Sequence, residues 1–215
     1  MPKVHFLNEV VTVDDVIDVI RDEATEDILK LAGTTAEEIH FPGVLRGAWI
    51  RFPWLGAAFI GGFLGIYLLG RFEGLLSQTL QIAFFLPIVL AMGGNVGSQC
   101  SMVVVRGIAT GHFELRSVGR IAAQEVGTSL LLAVVFGVCL AGFAALLGYG
   151  SASFAAVVGL GIFASMVIAA TLGTLLPLIL SRAGADPAVA SGPFVTTSID
   201  VAGILSFCLI ATLLL

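Results

Sequence analysis

Five long apolar segments, separated by short polar stretches, fill the last three-quarters of this 215-residue chain. They cover residues 53–72, 75–105, 121–147, 154–180 and 193–215. Each has at least the ~20 residues that a helix needs to cross a hydrocarbon core about 30 Å thick. The pattern predicts an all-α membrane protein with five transmembrane helices. The second segment is the longest and contains Pro87 and Gly93-Gly94, so we expect it to tilt, kink or extend beyond the bilayer.

A shorter helical pattern precedes these spans. Thr12 and Asp15 have the spacing of a capping box, an apolar stripe runs from Val13 to Leu31, and Gly33 is suited to end the helix. The opposite face carries seven carboxylates: Asp14, Asp15, Asp18, Asp22, Glu23, Glu26 and Asp27. Two interpretations stay open, a solvated amphipathic helix and a surface that senses cytoplasmic divalent cations. Residues 34–52 then lead into the membrane domain of residues 53–215.

The composition supports this division. Mean hydropathy is +1.05 and only 12% of residues are charged, far outside the range of soluble proteins. Residues 1–51 contain ten of the fifteen acids and five of the ten bases, so this part carries the whole net charge of −5. The remaining residues are neutral overall. No basic surplus indicates nucleic-acid binding, and the expected surroundings are the lipid bilayer and divalent cations.

Arginine positions predict the orientation. If the amino-terminal segment is cytoplasmic, Arg71 alone among seven arginines near the spans lies outside, and six lie inside: Arg46, Arg51, Arg106, Arg116, Arg120 and Arg182. Such a bias follows the positive-inside rule. We therefore expect a multi-pass protein of the cytoplasmic (inner) membrane. Its amino terminus would be cytoplasmic and its carboxyl terminus periplasmic or extracellular.

Asp200 lies inside the last apolar segment. An ionised Asp near the centre of a membrane helix costs roughly 2.5–3.5 kcal/mol even on the more lenient insertion scale. Such a residue indicates an ion path or a proton relay. The alternative is a protonated Asp that forms a structural hydrogen bond between helices.

Further polar residues interrupt the spans in three places. The second span carries Gly94, Asn95, Ser98 and Gln99, and the third carries Glu125. On the fifth span, helical spacing places one group on a single face: Pro193, Thr196, Thr197, Asp200 and Gly203. Carboxylate, hydroxyl, amide and carbonyl oxygens suit hydrated Mg²⁺, which loses its water reluctantly. The alternatives are hydrogen bonds between helices and, for Glu125, an ion pair with Arg116 or Arg120.

An intramembrane enzyme is the class that the sequence disfavours most. Ser98 and Ser101 lie in a glycine-rich segment, but a serine nucleophile needs a general base. The three histidines, His5, His40 and His112, all lie outside the predicted spans. We therefore expect no enzymatic activity.

Several stretches together resemble the MgtE family of Mg²⁺ channels, which is related to the SLC41 transporters. They are PWL at residues 53–55, GGNVGSQ at 93–99, VVVRGIATG at 103–111, the QE pair in the third span and DPAVASGPFVTTSIDVAG at 186–203. The amino-terminal segment, with VTVDDVIDVI, resembles the end of a second CBS domain in residues 1–33, followed by a connecting helix in residues 34–52. Ser98 stands where many members carry Asn.

The resemblance implies a homodimer with five helices per protomer and a pore at the two-fold axis. Paired Asp200 carboxylates would bind a hydrated Mg²⁺, with Thr196 beside them. The residues lining or gating the pore would be Gly94, Asn95, Ser98, Gln99, Glu125, Pro193, Thr197 and Gly203. The sequence leaves three matters open: whether Mn²⁺, Co²⁺ or Ca²⁺ also passes, whether transport is by a channel or by an exchanger coupled to Na⁺ or H⁺, and whether the chain is only a membrane scaffold.

Overall fold

The structure, a computed structural model, describes residues 12–35, 43–109, 118–149, 151–184 and 192–215. Regular structure within these ranges is entirely helical. The helices are α1 (Val13–Leu31), α2 (Val44–Arg71), α3 (Glu73–Gln78), α4 (Gln81–Ala109), α5 (Val118–Leu146), α6 (Ala152–Arg182) and α7 (Pro193–Leu214). Five of them, α2, α4, α5, α6 and α7, are long and apolar enough to cross a membrane. The predicted all-α fold with five spanning helices is confirmed.

Two predicted boundaries differ from the observed ones. Helix α2 begins at Val44, so Pro53 lies inside the helix and does not start it. Arg46 and Arg51 lower the local hydropathy, which moved the predicted start towards Pro53. The part of the connecting segment that the structure describes from Val44 onward is thus continuous with the first span. The second predicted span is divided at Thr79, which ends α3 with a non-helical backbone, and α4 then runs without a break through Pro87 and the glycines.

Helix α6 forms the centre of the bundle. It packs against α4, α5 and α7, whereas α2 packs mainly against α7. The inward side of α6 contains the fully buried side chains of Val157, Val158, Ile162 and Met166. Because α6 is apolar all round, it can be covered by neighbours on several sides. This arrangement leaves α2 at the edge, with Gly65 as its buried residue.

Glycines bring the central helices close together. A Cβ on Gly173 of α6 would meet the backbone of Gly97 on α4, with the Gly97 Cα only 2.9 Å away. A Cβ on Gly159 of α6 would lie 2.8 Å from the carbonyl oxygen of Gly137 on α5. Ser165 adds a polar link, because its hydroxyl donates to the Val89 carbonyl of α4 over 3.2 Å. Small residues of this kind let membrane helices approach at backbone distance.

The ends of α1 follow the predicted pattern. The Thr12 backbone N–H donates to Asp15 over 2.8 Å, and the Asp15 N–H donates to the Thr12 hydroxyl over 3.3 Å. Side-chain and backbone hydrogen bonds from Thr12 hold the pKa of the Asp15 carboxyl below its usual value. At the other end, Gly33 adopts a φ of 75°. The Gly33 and Thr34 amides donate to the carbonyls of Lys30 and Leu29, which is the Schellman arrangement.

Candidate functional site

Asp200 lines a cavity of about 260 Å³ between α2 and α7. Helix α7 contributes Thr196, Thr197 and Asp200 to its wall, and Leu90 reaches it from α4. Six waters at their liquid volume of ~30 Å³ each occupy about 180 Å³. The cavity can therefore hold an ion with most of its hydration shell. Within the described ranges, Asp200 is the one acidic residue that lines it.

The first span forms the other wall of this cavity. Gly61, Gly62 and Gly65 of α2 line it together with Ala58, Ile66 and Leu69. Gly61 and Gly65 have the four-residue spacing that allows close packing of membrane helices. Nothing in their spacing indicates which helix they face, so their place beside Asp200 appears only in the tertiary structure.

Only some residues of the predicted face of α7 lie together at the cavity. Thr196, Thr197 and Asp200 share the cavity, but Gly203 is buried in the bundle. A Cβ on Gly203 would lie 3.1 Å from Leu90 and 3.2 Å from the Ser165 hydroxyl. The Thr196 hydroxyl donates to its own helix, at 3.1 Å from the Pro193 carbonyl.

A second cavity, of about 220 Å³, adjoins the first one. Thr196 and Ala58 line both cavities, and the second also contacts Pro193 of α7. Ser98 and Ser101 of α4 also line it, together with Gly33 and Trp54. Ser101 is buried, and its hydroxyl has no hydrogen-bond partner within the described part of the chain. The two cavities extend in series from Asp200 to the carboxyl end of α1, and each has a mostly apolar lining with a few oxygen-bearing side chains.

The glycine-rich segment of α4 has an inner and an outer side. Gly93 and Gly97 are buried and both approach Ile199, the neighbour of Asp200, so the segment lies at the depth of that carboxylate. Asn95 and Gln99 are exposed on the outer surface of the single chain. They do not line the Asp200 cavity, and Gly94 does not either.

Glu125 lies in a different part of the bundle. Helix α5 packs on α6, and Glu125 and Thr174 lie near the Cys100 thiol, whose sulphur is 3.7 Å from the Ser129 hydroxyl oxygen. Glu125 does not line the Asp200 cavity. No ion pair joins it to Arg120 in the described residues, and Arg116 lies outside them.

The acidic residues of α1 are dispersed along the helix. Glu26 pairs with Lys30 at 2.9 Å. The side chains of Asp14, Asp15, Asp18, Asp22 and Glu23 are exposed, and that of Asp27 lies outside what the structure describes. Across the described ranges, no three His, Cys, Asp or Glu side chains come close enough to hold a metal ion together. A sensing role for α1 stays a prediction.

Sequence comparison gives the family. The MgtE family model, described as a divalent cation transporter, matches residues 86–210. The magnesium transporter MgtE of Bacillus subtilis is 34% identical over 203 residues, which cover 94% of this chain and 45% of that protein. The MgtE of Thermus thermophilus is 36% identical over 208 residues, or 96% of this chain and 46% of that protein. The corresponding protein of Enterococcus faecalis is 34% identical over 209 residues, with coverage of 97% and 46%.

The chain thus spans about half the length of the curated relatives it matches. The match extends over four of the five spanning helices and includes Asp200 and the glycine-rich segment of α4. The family consists of transporters and not of enzymes, in agreement with the absence of a histidine base from the predicted spans. This chain belongs to the MgtE family of divalent cation transporters.

Proposed function

We propose that this chain forms the ion-conducting part of a protein that takes up Mg²⁺ across the cytoplasmic membrane. The observation that carries the proposal is the Asp200 carboxylate in the wall of a cavity within the membrane-spanning bundle. The names of the relatives support Mg²⁺ as the ion. The arginine bias supports a cytoplasmic amino terminus and a carboxyl terminus on the outer side.

The chemistry of the cavity favours a hydrated ion. Among the described residues, one carboxylate and two threonine side chains line it, and no thiol or imidazole does. Mg²⁺ takes oxygen ligands and gives up its waters reluctantly. Since the cavity exceeds the volume of six waters, Asp200 and Thr196 would hold the ion through its water shell. The net attraction then comes from the carboxylate charge acting over a longer distance than direct coordination would require.

A homodimer accounts for the polar outer surface of α4. Asn95, Gln99 and Asp200 are exposed in the single chain at membrane depth. Lipid cannot supply hydrogen bonds to such side chains, so they require cover by protein or water. A second copy applied to this face would surround a wet path with Gly94, Asn95 and Ser98, and would bring two Asp200 carboxylates to one divalent ion. Mg²⁺ uptake by liposomes that each contain a single copy of the chain would contradict this arrangement.

Replacement of Asp200 tests the ion site. In liposomes that contain purified protein, Asp200→Asn should reduce Mg²⁺ uptake at least about tenfold, because loss of the carboxylate charge beside the hydrated ion should weaken its binding by ~1.4 kcal/mol or more. The exposed carboxylate of Glu73 provides the matched control, and Glu73→Gln should transport as the original chain does. Normal uptake by a well-folded Asp200→Asn protein would reject the proposal.

The same liposomes distinguish a channel from an exchanger. In each chain Asp200 is the one acid among the described residues that line the cavity, and in the proposed dimer both Asp200 carboxylates serve the same divalent ion. We therefore propose a channel, and uptake should be driven by the Mg²⁺ gradient and the membrane potential alone. Uptake that requires an imposed Na⁺ or H⁺ gradient would establish the exchanger instead. Competition by Mn²⁺, Co²⁺ and Ca²⁺ in this assay measures selectivity.

A further inference from the structure

We infer that Gly61, on the first span, is a positioning residue for the Asp200 site. Its lack of a side chain allows Thr197 to pack directly against the backbone of α2, and this contact fixes how α7 presents Asp200 to the cavity. The inference rests on the proposed function of Asp200. It concerns a helix to which the sequence assigned no part in the ion site.

The contact between Gly61 and Thr197 is very close. A Cβ on Gly61 would lie 2.9 Å from the Thr197 hydroxyl oxygen, 3.1 Å from its Cβ and nearer still to its Cγ2. Threonine is branched at Cβ, so its χ1 angle has few alternatives within a helix. Thr197 therefore cannot move away by rotating a long side chain. An added methyl group must displace α7 relative to α2 or turn it about its axis.

Asp200 would follow any such displacement. Thr197 and Asp200 are three residues apart on α7, lie on the same side and line the same cavity. Helix α2 packs mainly against α7, and Gly65 is its buried residue. The contact between Thr197 and Gly61 therefore largely determines how α2 is positioned against α7 around the Asp200 cavity.

Other glycines of α2 provide matched comparisons. A Cβ on Gly65 would lie 3.3 Å from Cδ1 of Ile204, the far end of a flexible side chain. Gly56 has no other atom within 4 Å of the Cβ position and does not line the cavity. The three positions should rank in sensitivity to Ala as Gly61, then Gly65, then Gly56.

A double-mutant cycle tests the contact through transport. Gly61→Ala should lower Mg²⁺ uptake about tenfold or more, since displacement of a site by about 1 Å can reduce rates by up to 10²-fold. Gly56→Ala should leave uptake unchanged. Thr197→Ala removes both atoms that the new methyl group meets first, so Gly61→Ala should cost much less in that background. Equal losses from Gly61→Ala with and without Thr197→Ala would overturn the inference.

A second readout does not depend on transport. In a chain whose three cysteines are replaced by Ala, Asp200→Cys can be labelled by a water-soluble thiol reagent. Gly61→Ala should change the labelling rate at position 200 several-fold, and added Thr197→Ala should restore it. If Asp200→Asn transports normally but this shift appears, the proposed function fails and the positioning stands.

The yield of folded protein tests the inference even if Gly61→Ala does not fold. If Gly61→Ala does not accumulate in the membrane but the double variant with Thr197→Ala does, the contact is supported. If neither accumulates, or if the labelling rate stays constant, Thr197 is not the group that Gly61 accommodates and the inference is rejected.

Discussion

At the scale of single residues, the surroundings of each glycine decide its importance. The chain has 26 glycines, and their frequency alone predicts only close helix packing. Gly173 faces the backbone of Gly97, whereas Gly142 of α5 has no other atom within 4 Å of its Cβ position. Backbone cannot move aside as a flexible side chain can. The same substitution should therefore have opposite effects at these two positions.

Gly173→Ala should destabilise the bundle by about 1–3 kcal/mol, the typical cost of overpacking a well-packed core. Gly142→Ala should be neutral or stabilise it by up to ~1 kcal/mol, because Ala is the better helix former. Thermal unfolding of the two purified variants in one detergent provides the comparison. A Gly173→Ala protein as stable as the original would show that α4 and α6 are not in backbone contact.

At the scale of elements, α1 illustrates a helix that is specified locally. Its start is set by Thr12 and Asp15, and its end by Gly33, through hydrogen bonds within a few residues of the chain. Its apolar stripe is not packed in the single chain, since Val13, Val16, Ile17 and Ile20 are all exposed. The capping hydrogen bonds therefore provide much of the stability of its first turn.

The first turn of α1 should loosen in acid. The hydrogen bonds from Thr12 lower the folded-state pKa of Asp15, so their contribution is complete above the unfolded pKa near 3.9. It is lost as the pH falls through the still lower folded value. Hydrogen exchange at the amides of Val13 to Val16, measured on the full chain and corrected for intrinsic rates, should accelerate across this range.

Asp15→Asn is the control for this effect. It removes the titrating group, so exchange in the first turn should be faster at neutral pH and should vary less with pH. Unchanged protection in Asp15→Asn would mean that tertiary contacts, and not the cap, hold the start of α1.

At the scale of the whole molecule, we propose that the five spans place the two ends of the membrane domain on opposite sides. The bias of six arginines to one supports a cytoplasmic amino terminus. A reporter that is active only outside the cytoplasm should be active when it is fused after Leu215. The same reporter inserted at Gly111, between the second and third spans, should be inactive. The reverse pattern would overturn the proposed orientation.

The fold class, the number of spans and the cap of α1 could all be predicted from the sequence. These features depend on hydropathy and on contacts between residues close in the chain, which a sequence displays directly. It also singled out Asp200, because a carboxylate within an apolar run is costly wherever the helix lies. The helix boundaries at Val44 and Thr79 were harder to predict, because charged residues and a local break in the helix obscure the hydropathy pattern.

The groups that meet around Asp200 could not be predicted in this way, because they depend on how the helices pack. The three-residue spacing on α7 suggested that Gly203 belongs with Asp200, yet Gly203 is buried against Leu90 and Ser165 while Gly61 of α2 lines the cavity. Glu125 lies near Cys100, and in the single chain it is not part of this site. Helical periodicity gives the face on which a residue lies but not the helix that covers that face. The covering helix is selected by the packing of whole surfaces, in which α6 takes the centre and leaves α2 to close over α7.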